Sequence, residues 1–210
     1  MPKKEKTPKT PRKARIKRQT TEVKVAGRLL LDGKGKSKID SGIKFLDHML
    51  DLFTFHGFFD LELTARGDLG VDYHHTNEDI GIVLGEAFKK SIGKARGIKR
   101  FGEASVPMEE ALAWVVVDVC GRGSFSWNLP ANTELKKETG GYSFDDARHF
   151  LDSFAKKSGI NIKIDIIEPS PDVHHLLEAA FKSLGIAIDR ATQIDKRRKG
   201  VPSTKGVIDL

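Results

Sequence analysis

Cysteine is almost missing from this chain: Cys120 is the single copy in 210 residues. No internal disulfide can form, and no cluster of thiolates can hold a metal ion. Cys120 closes the apolar run that begins at Ala111 and reads as a buried, inert thiol rather than a nucleophile. Long apolar runs are missing too. Nothing approaches the ~20 residues that a membrane-spanning helix needs, and the N-terminus lacks the apolar centre of a secretory signal. A cytoplasmic location is the expectation.

A net positive charge is missing once the first residues are set aside. Residues 1–19 hold nine Lys and Arg against Glu5, which gives +8 within a total of +7, so residues 20–210 sum to about −1. Three prolines and the lack of apolar periodicity make 1–19 read as a disordered basic tail, with weak contacts to nucleic acid at most. The body is expected to show no basic face. With 39% hydrophobic and 31% charged residues, the chain has the composition of a globular protein.

Alternation over Thr21–Leu31 predicts a strand closed by the turn Asp32-Gly33, and a second strand over Lys36–Asp40 would complete a hairpin. Phe45, Leu46, Met49, Leu50 and Phe53 have helical spacing and predict a helix over Ile43–Phe55, ended by Gly57. A strand over Phe59–Ala65 and a helix over Asn77–Ile92 follow. The second half repeats the order, with strands near Glu110–Cys120 and Ser124–Leu129 and a loop through Gly140 and Gly141. A helix over Phe144–Lys157, a strand over Ile160–Ile167 and a helix over Val173–Ile194 complete it.

Particular residues repeat as well. His48-Met-Leu-Asp-Leu-Phe53 is echoed by His149-Phe-Leu-Asp-Ser-Phe154, and His74-His75-Thr-Asn-Glu78 returns 100 residues later as His174-His175-Leu-Leu-Glu178. Two pseudo-repeats, 20–100 and 101–195, followed by a C-terminal segment 196–210, are the implied organisation. Helices and strands in this mixed order indicate α+β architecture.

Six of the seven histidines fall in these repeated positions. One chance His-His-x-x-Glu has a probability of only ~1% in a chain with this His and Glu content, so two in register call for a chemical reason. On a helix, Glu78 lies on the face between His74 and His75, whose imidazoles splay by about 100°. Adjacent imidazoles splayed in this way serve two ions better than one. Imidazole and carboxylate without thiolate suit Mn2+, Fe2+ or Zn2+, and ligand type alone does not choose among them. His48 and His149 taken singly would be core histidines; their repetition turns them into candidate ligands. His56 has no repeated partner and is assigned to the surface of a helix end.

Over about Thr20 to Ile208 the chain resembles imidazoleglycerol-phosphate dehydratase. The resemblance rests on Phe45-Leu-Asp-His-Met-Leu-Asp51, His74-His-Thr-Asn-Glu-Asp79, Arg100-Phe-Gly102, Gly121-Arg122-Gly123, His174-His-Leu-Leu-Glu-Ala-Ala-Phe181 and Pro202-Ser-Thr-Lys-Gly206. It implies a duplicated ribosomal-S5-like α+β unit, with helices sandwiched between two sheets. It also implies closed homo-oligomers, on the order of 24 subunits, whose metal sites are completed between copies.

By position, His48, His74, His75, Glu78, His149, His174, His175 and Glu178 match the family's ligands for two manganese ions. Glu22 matches a substrate-contacting carboxylate, and Arg100, Arg122, Ser203 and Lys205 match the phosphate-binding group. Two guanidinium forks, a hydroxyl and an ammonium suit a phosphate dianion. The implied reaction is dehydration of imidazoleglycerol phosphate to imidazoleacetol phosphate in histidine biosynthesis, the metals holding the substrate ring as imidazolate. Glu178 is the expected base, with His75 second.

Three departures stand out. Leu52 occupies the place of a phosphate-contacting Gln, Tyr73 that of an acid, and Gly123 that of a common Pro. They predict weaker substrate affinity rather than loss of activity. Competing readings are a dinuclear phosphoester hydrolase, which would release phosphate, and an RNA-associated structural protein bound through its tail.

Overall fold

A strand that alternates apolar and polar residues has one face to bury, and both halves of the chain bury it with the same four-stranded sheet. The computed structural model describes residues 11–131, 133–135 and 138–210. The first sheet holds β1 (Lys13–Gln19), β2 (Lys24–Leu30), β3 (Lys36–Asp40) and β4 (Asp60–Arg66) in the order β1-β2-β4-β3. The second holds β5 (Phe101–Met108), β6 (Ala111–Val119), β7 (Ser124–Asn128) and β10 (Ile160–Glu168) in the order β5-β6-β10-β7. Each sheet has two antiparallel pairings and a final parallel one. A small hairpin of β8 (Glu138–Thr139) and β9 (Tyr142–Ser143) turns through Gly140-Gly141.

Four helices fill the space between the sheets. α1 (Lys44–His56) and α2 (His74–Ile92) pack on the first sheet, and α3 (Phe144–Ser158) and α4 (Val173–Thr192) on the second. Across the middle, α1 meets α4 and α2 meets α3. The repeated residues Phe53 and Phe154 touch there, with ring centroids 6.2 Å apart. Glycine sets how closely the helices approach. A Cβ at Gly81 or Gly85 of α2 would come within 2.7 or 2.6 Å of the carbonyl oxygens of Phe150 and Phe154, and one at Gly185 of α4 within 2.4 Å of that of Phe53. No helix among the described residues is long and apolar enough to cross a membrane. Cys120 is buried, as its apolar surroundings predict.

Several expectations need correction. The tail expected over 1–19 is, from Lys13 to Gln19, strand β1. Its inward alternation rests on Ile16, 3% exposed, and on Arg18, which reaches Asp79 at 2.7 Å. The dense charge between these residues hides the pattern. Residues 1–10 of that stretch lie outside the described residues. β3 makes no hairpin with β2; it crosses to the far side of β4 and pairs parallel to it. β5 carries little strand signal in its residues because it is an edge strand with Gly102, Pro107 and a single buried side chain, Ala104. Proline is tolerated only at such edges. Finally, α2 begins at His74 rather than Asn77, its first turn capped by Asp72 Oδ1, which accepts from the backbone N–H of His74 at 2.8 Å.

Candidate metal centre

His48 comes from the middle of α1, and His174 and Glu178 from the first turns of α4. Helical spacing of four residues puts the last two on one face, and the α1–α4 contact brings the third to them. Nε2 of His48 and Nε2 of His174 both approach Glu178 Oε1, at 2.8 and 2.9 Å. The three donor atoms lie within 4.8 Å of one another. The other carboxylate oxygen, Oε2, accepts from Lys182 Nζ at 2.6 Å. Burial pushes the Glu178 carboxyl up, but the hydrogen bonds of Lys182, His48 and His174 outweigh it and hold the pKa at about 2. The group is therefore an anion. The Phe45 ring stands edge-on to His174 at 5.2 Å and walls one side.

The duplicated positions make a second cluster between α2 and α3. His74 and His149 face each other through Nδ1 at 3.0 Å, their rings at 79°. Among the described residues Glu78 bonds to neither, and the position that matches Lys182 is Ile82.

The second histidine of each pair turns the other way. His75 Nδ1 lies 2.9 Å from Asp68 Oδ2 and 3.7 Å from Glu22 Oε2, and these three residues also have ligand atoms within 4.8 Å of one another. The hydrogen bond to Asp68, then the charge of Glu22, raises the His75 pKa. His175 Nδ1 sits 3.2 Å from Glu110 Oε2, and the Ser170 hydroxyl holds that carboxyl at about 2. Within one chain, then, His75 and His175 stay apart from the two interhelical clusters, as imidazoles splayed on one helix turn must.

The donor set fits a divalent first-row ion. Two imidazole nitrogens and an ionised carboxylate converge on one point, and the carboxylate is already stripped of its proton.

The residues expected to bind phosphate lie elsewhere. Arg100 grips Asp118 in a two-pronged ion pair at 2.7 and 3.0 Å and donates to the Pro202 carbonyl at 3.0 Å, which pins the C-terminal segment beside it. Three of its five N–H donors are thus used. Ser203 Oγ accepts from the backbone N–H of Lys205 at 3.2 Å, while Arg122 and Lys205 are exposed. The Arg100 backbone bonds to Ala191 at the far end of α4. At 1.5 Å per residue, Ala191 is about 25 Å along the helix from His174.

The structure accounts for the three departures. Leu52 packs partly buried against the core. Tyr73 stacks on Tyr142, centroids 6.5 Å apart, and lies over Gly141. At Gly123 a Cβ would fall 1.9 Å from the Ala155 carbonyl oxygen, so no larger residue fits this backbone.

Sequence reasoning passed over Lys182, Asp68, Glu110 and Ser170. Lys182 alone left a signal, its i,i+4 spacing from Glu178. His56 is half-buried, its pKa lowered by burial and then by the nearby Lys182 charge, rather than standing free on the surface.

Comparisons with known proteins agree with this architecture. The family profile described as imidazoleglycerol-phosphate dehydratase matches residues 41–188. Imidazoleglycerol-phosphate dehydratase of Methanocella arvoryzae is 50% identical over 197 residues, covering 94% of this chain and 100% of that one. Its counterpart in Pelobacter propionicus is 47% identical over 197 residues, covering 94% and 99%. Among solved structures, IGPD from Pyrococcus furiosus superimposes with a TM-score of 0.78 at 33% identity, covering 92% of this chain and 100% of that one. Imidazoleglycerol-phosphate dehydratase of Staphylococcus aureus gives 0.76 at 32% identity, covering 87% and 100%. Duplicated sheets, paired histidine helices and these likenesses lead to one conclusion: the chain belongs to the imidazoleglycerol-phosphate dehydratase family, hydro-lyases of histidine biosynthesis.

Proposed function

We propose that this protein removes water from imidazoleglycerol phosphate to give imidazoleacetol phosphate, using two Mn2+ ions per chain in sites completed between copies of the chain. The observation that carries the reading is the convergence of His48, His174 and Glu178 on one point, with the same residue types repeated at His149, His74 and Glu78. His48, His174 and Glu178 would hold one ion; His74, His149 and Glu78 the other; His75 and His175 would complete the coordination of ions held by neighbouring copies. Bound there, the metal supplies a Lewis acid to the substrate's imidazole.

The chain's own groups do the rest. Loss of water breaks the C–O bond beside the ring and removes a proton from the next carbon, and the resulting enol becomes the ketone. We assign the proton to Glu178, whose Oε1 faces the histidines while Lys182 steadies Oε2. A carboxylate with a pKa near 2 is a weak base, so the step needs a carbon acid strengthened by ring binding. His75, raised in pKa by Asp68, is the competing acceptor. Glu22, beside it, would contact the substrate. Arg100, Arg122, Ser203 and Lys205 would clamp the phosphate and so align the departing groups.

Distance supports a homo-oligomer. The clamp and the histidines of one chain sit at opposite ends of α4, about 25 Å apart, farther than this substrate extends. A substrate held at both ends must bridge two copies.

A coupled assay for the keto product, with and without chelator, tests the proposal; undiminished turnover in metal-free protein would refute it. Release of inorganic phosphate in place of ketone would make it a hydrolase. Elemental analysis should find two manganese ions per chain. In variants shown by elemental analysis to keep two manganese ions per chain, Glu178→Gln should abolish proton removal and His75→Asn should not; the reverse result at equal metal content moves the base to His75.

A further inference from the structure

The outer face of the first sheet plays no part in the site. Alternation puts Lys13, Arg15 and Lys17 of β1, Lys24 and Arg28 of β2, Arg66 of β4, and Lys36 and Lys38 of β3 on that face, all of them exposed. Only Asp40, Asp60 and Glu62 stand among these eight cations. Arg28 pairs with Glu62 at 2.5 Å and Arg66 with Asp40 at 2.6 Å. Lys13, Arg15, Lys17, Lys24, Lys36 and Lys38 have no ion-pair partner among the described residues. The expectation that the body lacks a basic face is therefore overturned, because β1 belongs to the body. A concavity of about 660 Å3 lies on this face, lined by Lys13, Arg15, Arg28, Lys36, Lys38 and Glu62 among others.

The fold does not demand this charge. Matched through the shared register, the second sheet has Phe101 in place of Lys13, Glu103 for Arg15, Ser105 for Lys17, Leu112 for Lys24, and Ser124 and Ser126 for Lys36 and Lys38.

We propose that the outer face of the first sheet binds the phosphate backbone of a nucleic-acid duplex without reading its sequence. The cations form two rails, β1 on one edge and β3 on the other, three strand spacings or about 14 Å apart. That separation is close to the ~12 Å major groove across which the two phosphate strands of a DNA duplex face each other. Between the rails, Asp60 and Glu62 offset much of the charge of Lys24, Arg28 and Arg66, so the unpaired cations of the face are concentrated on its two edges. Among the described residues no aromatic side chain stands on the face to stack unpaired bases, and Leu30, half-buried, is the one large apolar side chain on it, too little to anchor it in lipid. Lysine and arginine on phosphate give affinity and salt dependence but no base discrimination.

The test is fluorescence anisotropy of a short mixed-sequence duplex titrated with the full chain. If the five rail residues Lys13, Arg15, Lys17, Lys36 and Lys38 each neutralise one phosphate, the log–log salt slope is about −4.5, and Kd rises roughly 500-fold between 50 and 200 mM salt. Converting Lys13, Arg15 and Lys17 together to Glu should flatten the slope by about 3, and Lys36→Glu with Lys38→Glu by about 2. Ser124→Glu with Ser126→Glu, at the matching places on the second sheet, should change nothing. Dehydratase activity and thermal midpoint should be unaltered in all three, since every substituted residue lies outside the histidine clusters. Absence of binding at 50 mM salt would overturn the proposal. So would a slope unmoved by both rail variants, which would place binding in residues 1–10. Equal affinity for single strands, or retention on phosphatidylserine vesicles without binding to the duplex, would overturn it as well.

Discussion

Two histidine clusters occupy duplicated places in this protein, yet their carboxylates behave differently. Glu178 is buried between two imidazoles and the ammonium of Lys182, whereas Glu78 is half-buried and bonds to neither His74 nor His149. The residue one helical turn on explains it: Lys182 in one half, Ile82 in the other. A cation behind Glu178 offsets the cost of burying it. Without one, Glu78 gains nothing by turning inward, and its two histidines contact each other directly. The two halves share the ligand spacing but not the partner behind it, leaving one cluster assembled in advance and one to be organised by what it binds.

The sharpest way to break that contrast is to neutralise each carboxylate in turn. Glu178→Gln should reduce dehydration at least 100-fold and, by leaving the partly buried Lys182 without a counter-charge, cost the metal-free protein about 3 kcal/mol in denaturant unfolding. Glu78→Gln should match the loss of activity but cost less than about 0.5 kcal/mol. Equal losses of stability would mean that the two clusters are equivalent after all.

Helix spacing offers a second probe. Gly185→Ala drives a Cβ to 2.4 Å from the Phe53 carbonyl oxygen, and Gly85→Ala to 2.6 Å from that of Phe154. Each should destabilise by about 1–3 kcal/mol, and Gly185→Ala should also weaken manganese binding measured by calorimetry, because it parts α1 from α4. Gly70→Ala, with open space around its Cβ, serves as the neutral control.

The smallest effect concerns pH. His75 has its pKa raised above the ordinary 6.5, chiefly by Asp68. In metal-free protein this pairing adds stability that is complete below 6.5 and disappears as pH climbs through the higher folded value. Asp68→Asn should flatten that part of a plot of thermal midpoint against pH. An unchanged plot would separate Asp68 from the histidine.

Much of this arrangement is legible in the chain, for identifiable reasons. Ligand spacing is written directly in the order of residues, so the repeat of His-His-x-x-Glu and the helices bearing it can be read from the amino acids alone. Strands β1 and β5 resist reading because dense charge in the one and Gly102 and Pro107 in the other mask a single buried side chain each, Ile16 and Ala104, whereas the edge strands β3 and β7 keep a readable alternation. Lys182 stands in view, but Glu and Lys four apart on a helix usually form an exposed pair, and burial alone shows that this one is different. Asp68 and Glu110 reach the histidines from loops at strand ends, and no sequence period records such returns. The basic sheet face escapes notice because its charges lie on four strands and meet only through the pairing of β3 with β4.

The length of α4 carries one last implication. On the proposed roles, a helix with imidazole donors at one end and the clamp at the other would make every subunit a lender of one half-site and a borrower of another. Two crippled versions, His174→Ala and Arg122→Ala, each inactive alone, should regain measurable turnover when dissociated together and reassembled as mixed particles. Silence from every mixture would show that each chain works for itself.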